Sequence, residues 1–87
     1  MAAPQIFQRV ASARAIDDLN RGNSYERGID VVQDWKKAVF FYRRAAHEGL
    51  DIAQNNLSVC YENGDGVPQD WTMAARYYRM ATRQRAA

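Results

Sequence analysis

The residues best suited to metal binding or nucleophilic chemistry in this 87-residue sequence are its only histidine, His47, and its only cysteine, Cys60. One imidazole and one thiol do not make the four-ligand set of a structural zinc site. The adjacent Asp17 and Asp18 would point in different directions on a helix, so they do not form an acid–base pair. A lone cysteine also excludes an internal disulfide and favours a reducing compartment. These residues predict neither a catalytic site nor a metal site.

The segment Gly64-Asp65-Gly66 is the sequence most similar to a ligand-binding loop. It lacks the Gly-Lys-Ser or Gly-Lys-Thr that completes a phosphate-binding loop. Asn63, Asp65 and Asp70 lack the regular alternation and the terminal glutamate of a calcium loop. With Pro68 close behind, the glycines are better explained by a tight turn. We therefore expect no bound cofactor and no enzymatic activity.

An internal repeat of 36 residues organises the chain. Residues 25–49 align with residues 61–85, and eleven of the 25 positions are identical. Chance would give about one or two identities at average composition. The first copy contributes Tyr25, Glu26, Gly28, Val31, Gln33, Asp34, Trp35, Ala38, Tyr42, Arg43 and Ala45, and the second Tyr61, Glu62, Gly64, Val67, Gln69, Asp70, Trp71, Ala74, Tyr78, Arg79 and Ala81. Self-similarity at such a period is typical of stacked repeat proteins.

The repeated residues have helical spacing. Trp35, Ala38, Tyr42 and Ala45 lie on one face of a helix, and Trp71, Ala74, Tyr78 and Ala81 repeat that face, so we interpret both aromatic sets, and Cys60, as core. Asp34 and Asp70 precede these faces and are suited to cap the first turns. Helices are expected at residues 5–27, 35–48, 51–63 and 70–84. The predicted fold class is all-α, a short α-solenoid of two helix-turn-helix repeats with four antiparallel helices, in one domain spanning residues 1–87.

The second copy resembles the Sel-one-like repeat, a relative of the tetratricopeptide repeat. Its matching residues are Ala53, Leu57, Ser58, Tyr61, Gly64, Gly66, Val67, Asp70, Ala74, Tyr77, Tyr78 and Ala81, and those of the first copy are Gly22, Tyr25, Gly28, Asp34, Ala38, Phe41, Tyr42, Ala45, Ala46 and Gly49. The copies cover residues 17–49 and 53–85. Asp17 and Arg21 replace the small residue and the leucine of the pattern, which suits a solvated cap helix. Arg85 replaces its closing glycine.

The resemblance implies a protein-binding groove on the first helix of each repeat. Residues opposite the buried stripes are Leu19, Asn23 and Glu26, then Asn55, Val59 and Glu62. Leu19 and Val59 are apolar where a solvated face would be polar. The alternative is that they are ordinary exposed apolar residues, which are common on protein surfaces.

The outer face of the helix at 35–48 is a second candidate surface. Phe40 lies there among Lys36, Lys37, Arg43, Arg44 and His47. A ring in a basic field could contact an acidic protein surface or stack on a base. The alternative is a solvated helix whose phenylalanine lies on its neighbours.

The final helix presents an open terminal face, for which Met80 is the candidate contact residue. Fewer than about three repeats are usually marginal alone. Self-association as a homodimer through this helix, docking into a larger assembly, or truncation of a longer array would each account for an open end. The sequence begins with Met1, which favours a complete chain held in an assembly.

These observations favour a non-enzymatic protein–protein interaction module, an adaptor or a small accessory subunit of a larger complex. The net charge is +2 and the last seventeen residues hold four arginines and no acid, so a minor component binding RNA or DNA is the alternative. No apolar run approaches the roughly 18 residues of a membrane span. Residues 1–16 carry Arg9 and Arg14 and no acid, which loosely resembles an organelle presequence, but a plain first helix explains the same residues. The cytoplasm is the expected compartment, with an organelle interior as the alternative.

Overall fold

The computed structural model describes residues 12–86, which form four helices and no strand. The helices are α1 (Ala13–Arg27), α2 (Trp35–His47), α3 (Asp51–Asn63) and α4 (Trp71–Ala86). Each packs against the next along the chain, α1 on α2, α2 on α3 and α3 on α4. The predicted all-α solenoid of two helix-turn-helix units is therefore confirmed.

Short polar side chains start three of the helices. The side chains of Asp34 and Asp70 accept hydrogen bonds from backbone N–H groups in the first turns of α2 and α4, as predicted. The expected single helix over residues 5–27 does not run through Ser12, which is extended and whose hydroxyl accepts from the N–H of Ala15 at 3.0 Å. This cap fixes the start of α1 at Ala13, and residues 5–11 lie outside the described part.

The two repeats use the same turn and the same ring contact between their helices. The N–H of Asp34 donates to the carbonyl of Tyr25, and the N–H of Asp70 donates to that of Tyr61, both at 2.9 Å. Tyr25 also stacks on Phe41 in the first repeat, as Tyr61 stacks on Tyr77 in the second, with ring centroids 5.7 and 5.9 Å apart. Local sequence identity has thus produced local structural identity.

Tyr42 is the largest of the fully buried side chains in the described part of the chain. Its ring lies against α1 at Gly22, where an added Cβ would be 2.5 Å from two ring carbons. Only glycine leaves room for the ring at this position without a shift. Cys60 is also buried, as predicted, and contributes to the same core.

The two rings of the second aromatic set, Trp71 and Tyr78, are not core, contrary to the sequence interpretation, although Ala74 and Ala81 of that set are buried. Trp71 is 64% exposed and Tyr78 is 59% exposed, whereas their counterparts Trp35 and Tyr42 are partly and fully buried. The physical reason is the order of the stack: α3 covers the first set, and no helix of the described part follows α4 to cover the second. The aromatic residues at these two positions therefore pack against the core in the first repeat and are exposed in the second.

Candidate functional site

Half of the predicted groove is used to hold Tyr42. The Tyr42 hydroxyl donates to Glu26 Oε1 at 2.6 Å, and the Asn23 side-chain amide lies 2.9 Å from the same hydroxyl. A hydroxyl has one proton, so Asn23 completes the contact through its NH₂ group with the amide turned accordingly. Burial, followed by the neighbouring Glu26, raises the pKa of Tyr42 well above its ordinary value. Leu19 packs against the core and is half-buried.

The other half of the predicted groove is more open. Val59 and Glu62 are exposed and Asn55 is half-buried. Val59 and Glu26 line a single cavity of 350 Å³, which we call the groove cavity, with Trp35, Asn56, Cys60, Asn63 and Asp65. The groove cavity therefore brings together two of the six predicted groove residues, one from each repeat. The lining of that cavity does not include the other four.

Lys36, Phe40 and His47 of the predicted outer face are exposed, and Arg43 and Arg44 are half-buried. The Phe40 ring packs edge-on against Phe41 with a centroid distance of 5.2 Å, and the guanidinium of Arg44 lies 5.5 Å from the Phe40 centroid. The ring thus lies partly on its neighbours while about half of it faces solvent. The alternative interpretation, a phenylalanine that lies on its neighbours, describes part of the ring, and a partner contact of the exposed part stays a prediction.

The other basic residues of that face make contacts within the chain. Arg43 donates to the Tyr61 hydroxyl at 2.9 Å, and His47 Nε2 lies 3.3 Å from the Tyr77 hydroxyl. Arg44 Nε lies 3.3 Å from a carboxylate oxygen of Asp18. Because these side chains connect α2 to the helices around it, they are less available to a partner than the sequence suggests.

The exposed rings of the last helix are Trp71 and Tyr78, and sequence reasoning did not select them as site residues. Met80, the predicted residue of the open terminal face, is half-buried and packs against the core. The repeat alignment could have predicted this exposure. Trp71 and Tyr78 align with Trp35 and Tyr42, which the following repeat covers. A residue equivalent to a covered one is exposed when no further repeat is described.

Trp71 and Tyr78 line a cavity of 160 Å³ that we call the end cavity, together with Ser58, Glu62, Ala74 and Ala75. Its Glu62 and Trp71 are the repeat equivalents of Glu26 and Trp35 in the groove cavity. In the groove cavity the opposite side is formed by α3. The end cavity is therefore the same kind of inter-repeat space without its covering helix.

Cys60 is not poised for chemistry. Burial, followed by the nearby Glu26 and Asp65, raises the pKa of its thiol to about 12. A thiol with so high a pKa stays protonated at neutral pH and is a poor nucleophile and a poor metal ligand. No group of three or more potential metal ligands occurs among residues 12–86.

The raised thiol pKa makes folding sensitive to alkali. The folded chain keeps the proton that the unfolded chain loses above its ordinary pKa of 9, so stability is complete below pH 9 and falls as pH rises towards 12. We expect the free energy of unfolding to decrease by roughly 1 kcal/mol per pH unit across this window. Urea titrations at pH 8, 9 and 10 on the wild type and on Cys60→Ala measure it. An equal decrease in both proteins would contradict the assignment to the thiol.

The geometry and the comparisons define the class of protein. The helix-turn-helix units of the described residues stack as an α-solenoid. The Sel1 repeat model matches residues 19–50 and 51–85, so the chain belongs to the Sel1 repeat family. Sel1 repeats form non-catalytic helical scaffolds and are generally protein–protein interaction modules.

Two solved structures are similar to this chain. A Sel1 repeat protein from Oxalobacter formigenes aligns with a TM-score of 0.80 and 36% identity, over 80% of this chain and 53% of that one. A protective antigen of uropathogenic Escherichia coli strains with an SLR fold aligns with a TM-score of 0.79 and 37% identity, over 80% of this chain and 15% of that one. This chain thus matches about half of the first protein and a small part of the second. No curated protein sequence matches it. None of the described helices is long and apolar enough to cross a membrane.

Proposed function

We propose that this protein is a non-enzymatic adaptor or small accessory subunit that binds another protein through the end of its helical stack. The observation that carries the proposal is the exposure of Trp71 and Tyr78 beside the end cavity, where the equivalent rings of the first repeat are covered by α3. Tryptophan and tyrosine are the residues most enriched among those that dominate binding energy at protein interfaces. Covering such a ring contributes on the order of 1.5–3 kcal/mol.

The groove cavity is a second surface for the same function. Val59 offers an exposed apolar contact there, and Glu26, Asn63 and Asp65 offer polar groups around it. This mixture suits a peptide segment better than an apolar helix, because the polar groups can pair with main-chain N–H groups.

We propose that the compartment is reducing, the cytoplasm or an organelle interior, because the one described cysteine is unpaired.

Binding of RNA or DNA is the weaker candidate. Phosphate recognition needs basic side chains that are free to pair with phosphate. Arg43, Arg44 and His47 instead contact groups within the chain, which leaves them less free to pair with phosphate beside Phe40. Nucleic-acid binding would fall steeply with salt, whereas binding at the apolar end would change little.

Co-purification with single surface variants tests the proposal. A tagged chain is expressed in its source cells beside Ala75→Lys in the end cavity, Val59→Lys in the groove cavity and Phe40→Lys on the outer face. All three positions are exposed, so helicity should be unchanged. We expect Ala75→Lys to release a protein that the wild type and Phe40→Lys retain after nuclease treatment.

Two results would contradict this function. One is retention of the same proteins by all three variants, and the other is loss of all bound proteins on nuclease treatment. Loss with Val59→Lys alone would place the contact in the groove cavity instead of the end cavity. Light scattering on the isolated wild-type chain completes the test, because a stable dimer at working concentration would make a second copy the bound protein.

A further inference from the structure

We infer that the groove cavity receives the side chain of an arginine on an extended segment of a partner protein. The inference rests on the proposed function, in which the groove cavity is the second binding surface, and it names the residue that the partner places there. Three features of the cavity lead to it. Two carboxylates line the cavity and form no ion pair within residues 12–86, a tryptophan lies beside them, and the lining contains no basic residue.

The carboxylates of the groove cavity belong to Glu26 on α1 and to Asp65 in the turn after α3, and both residues are half-buried. The ion pairs formed within residues 12–86 involve other acids, namely Asp17, Asp18 and Glu48. A half-buried carboxylate without a cation bears part of the cost of desolvation and gains no compensating attraction. A cation that enters the cavity would therefore be stabilised by two acids at once.

The negative charges of the two acids act together at Cys60, which is buried and belongs to the lining of the cavity. Burial raises the pKa of the Cys60 thiol most, and the charges of Glu26 and Asp65 raise it further. Two carboxylates from different elements therefore act on the same position in the cavity. The thiol itself stays protonated at neutral pH, so the charge available to a ligand is that of the two carboxylates.

The remaining groups of the groove cavity favour arginine over lysine. Asn56 and Asn63 line the cavity beside the two carboxylates, and their amide oxygens are further hydrogen-bond acceptors. A guanidinium has five N–H donors in one plane, whereas an ammonium has three. A guanidinium also stacks on aromatic rings, and the half-buried Trp35 supplies such a ring. The exposed Val59 is suited to pack against the methylene groups of the arginine.

The second carboxylate of the groove cavity is not one of the residues that the two repeats share. Asp65 aligns with Ile29 in the first repeat, whereas the other acid, Glu26, recurs as Glu62 in the end cavity. The lining of the end cavity contains no second acid. The two cavities therefore differ in chemistry, and the pair of acids that suits a guanidinium belongs to the groove cavity.

Peptide binding to a variant with a single tryptophan tests the inference. Trp71→Phe leaves Trp35 as the only tryptophan, and Trp71 is 64% exposed, so this replacement should not disturb the fold. The probes are short peptides of alanine and glycine, blocked at both ends, with arginine, lysine or norleucine at the centre. We expect the arginine peptide to change the Trp35 fluorescence to saturation, and to bind about tenfold more tightly than the norleucine peptide.

Two substitutions that change the charge equally locate the binding. Asp65→Asn removes one carboxylate of the groove cavity and should weaken binding of the arginine peptide about tenfold. Asp30→Asn is the matched control, because Asp30 lies in the turn of the first repeat, outside the lining of the groove cavity. Its φ is 61°, a conformation that asparagine also tolerates. We expect Asp30→Asn to leave the affinity unchanged.

Four results would overturn the inference: no binding of the arginine peptide, equal binding of the norleucine peptide, equal or tighter binding of the lysine peptide, and equal losses with Asp65→Asn and Asp30→Asn. If Asp65→Asn loses helicity by circular dichroism, Glu26→Gln provides the same test, because glutamine keeps an acceptor for the Tyr42 hydroxyl. Release of a cellular protein by Val59→Lys without any preference for the arginine peptide would overturn the inference and leave the proposed function standing.

Discussion

Replacing Gly66 by alanine is expected to lower the free energy of unfolding by about 3 kcal/mol, combining left-handed strain with overpacking. A side chain at a φ of 74° is strained in an L-residue, and the added Cβ would lie 2.5 Å from the Trp35 carbonyl oxygen and 3.0 Å from Val39. The contact is with backbone, so a rotamer change cannot relieve it. The turn would have to move away from α2, and the two repeats would lose part of their contact.

Two other glycines separate the strain from the contact. Gly64 has the same φ of 74°, but its nearest neighbour would be 3.4 Å away, and Gly49 has a φ of 93° with nothing within 4 Å. Gly64→Ala and Gly49→Ala should each cost about 1 kcal/mol from backbone strain alone. Urea denaturation of the three variants measures the differences. If Gly66→Ala were no less stable than Gly64→Ala, the close approach of the turn to Trp35 would not contribute to stability.

Features encoded by neighbouring residues could be predicted from the sequence. The helical stripe from Trp35, the caps at Asp34 and Asp70, and the burial of Cys60 all follow from local spacing or residue size. The start of α1 was missed although Ser12 is a good capping residue, because the preceding residues also fit a helix. A capping residue begins a helix only where the backbone before it is extended. The helix propensities of the neighbouring residues do not determine whether it is.

Features that depend on the order of the stack could not be predicted in the same way. Tyr42 and Tyr78 have the same local sequence pattern and opposite exposure, because only Tyr42 has a following helix beside it. The basic face at Arg43 and Arg44 looked free because each partner, Tyr61 and Asp18, lies on another helix. Charge patterns on one helix therefore overestimate the positive surface when neighbouring helices carry the complementary groups.

The ion pair between Asp18 on α1 and Arg44 on α2 is the clearest contact between helices that the sequence pattern of one helix does not show, and its contribution to stability can be measured. Asp18 is 3% exposed, and its Oδ2 atom has no hydrogen bond but lies 3.3 Å from Arg44 Nε. A buried carboxylate that loses its paired cation keeps the cost of desolvation without the compensating attraction. We expect Arg44→Met, which introduces the residue found at the equivalent position 80, to lower the free energy of unfolding by about 2 kcal/mol. This expected loss is smaller than the loss on breaking a fully buried ion pair, because the Arg44 side chain is 38% exposed to solvent.

A double-mutant cycle with Asp18→Asn assigns the loss to the charge. Asparagine keeps the shape of Asp18 but carries no charge, so Arg44→Met in the Asp18→Asn background should cost less than half as much. Arg21→Ala serves as the matched surface control, because the Arg21–Asp17 pair is exposed on both sides and should contribute less than about 1 kcal/mol. Equal costs of Arg44→Met in both backgrounds would mean that Arg44 stabilises α2 through its contact with Phe40 instead, and that Asp18 tolerates burial without it. In that event the negative charge of Asp18 would not explain why repeat one carries an arginine where repeat two carries Met80.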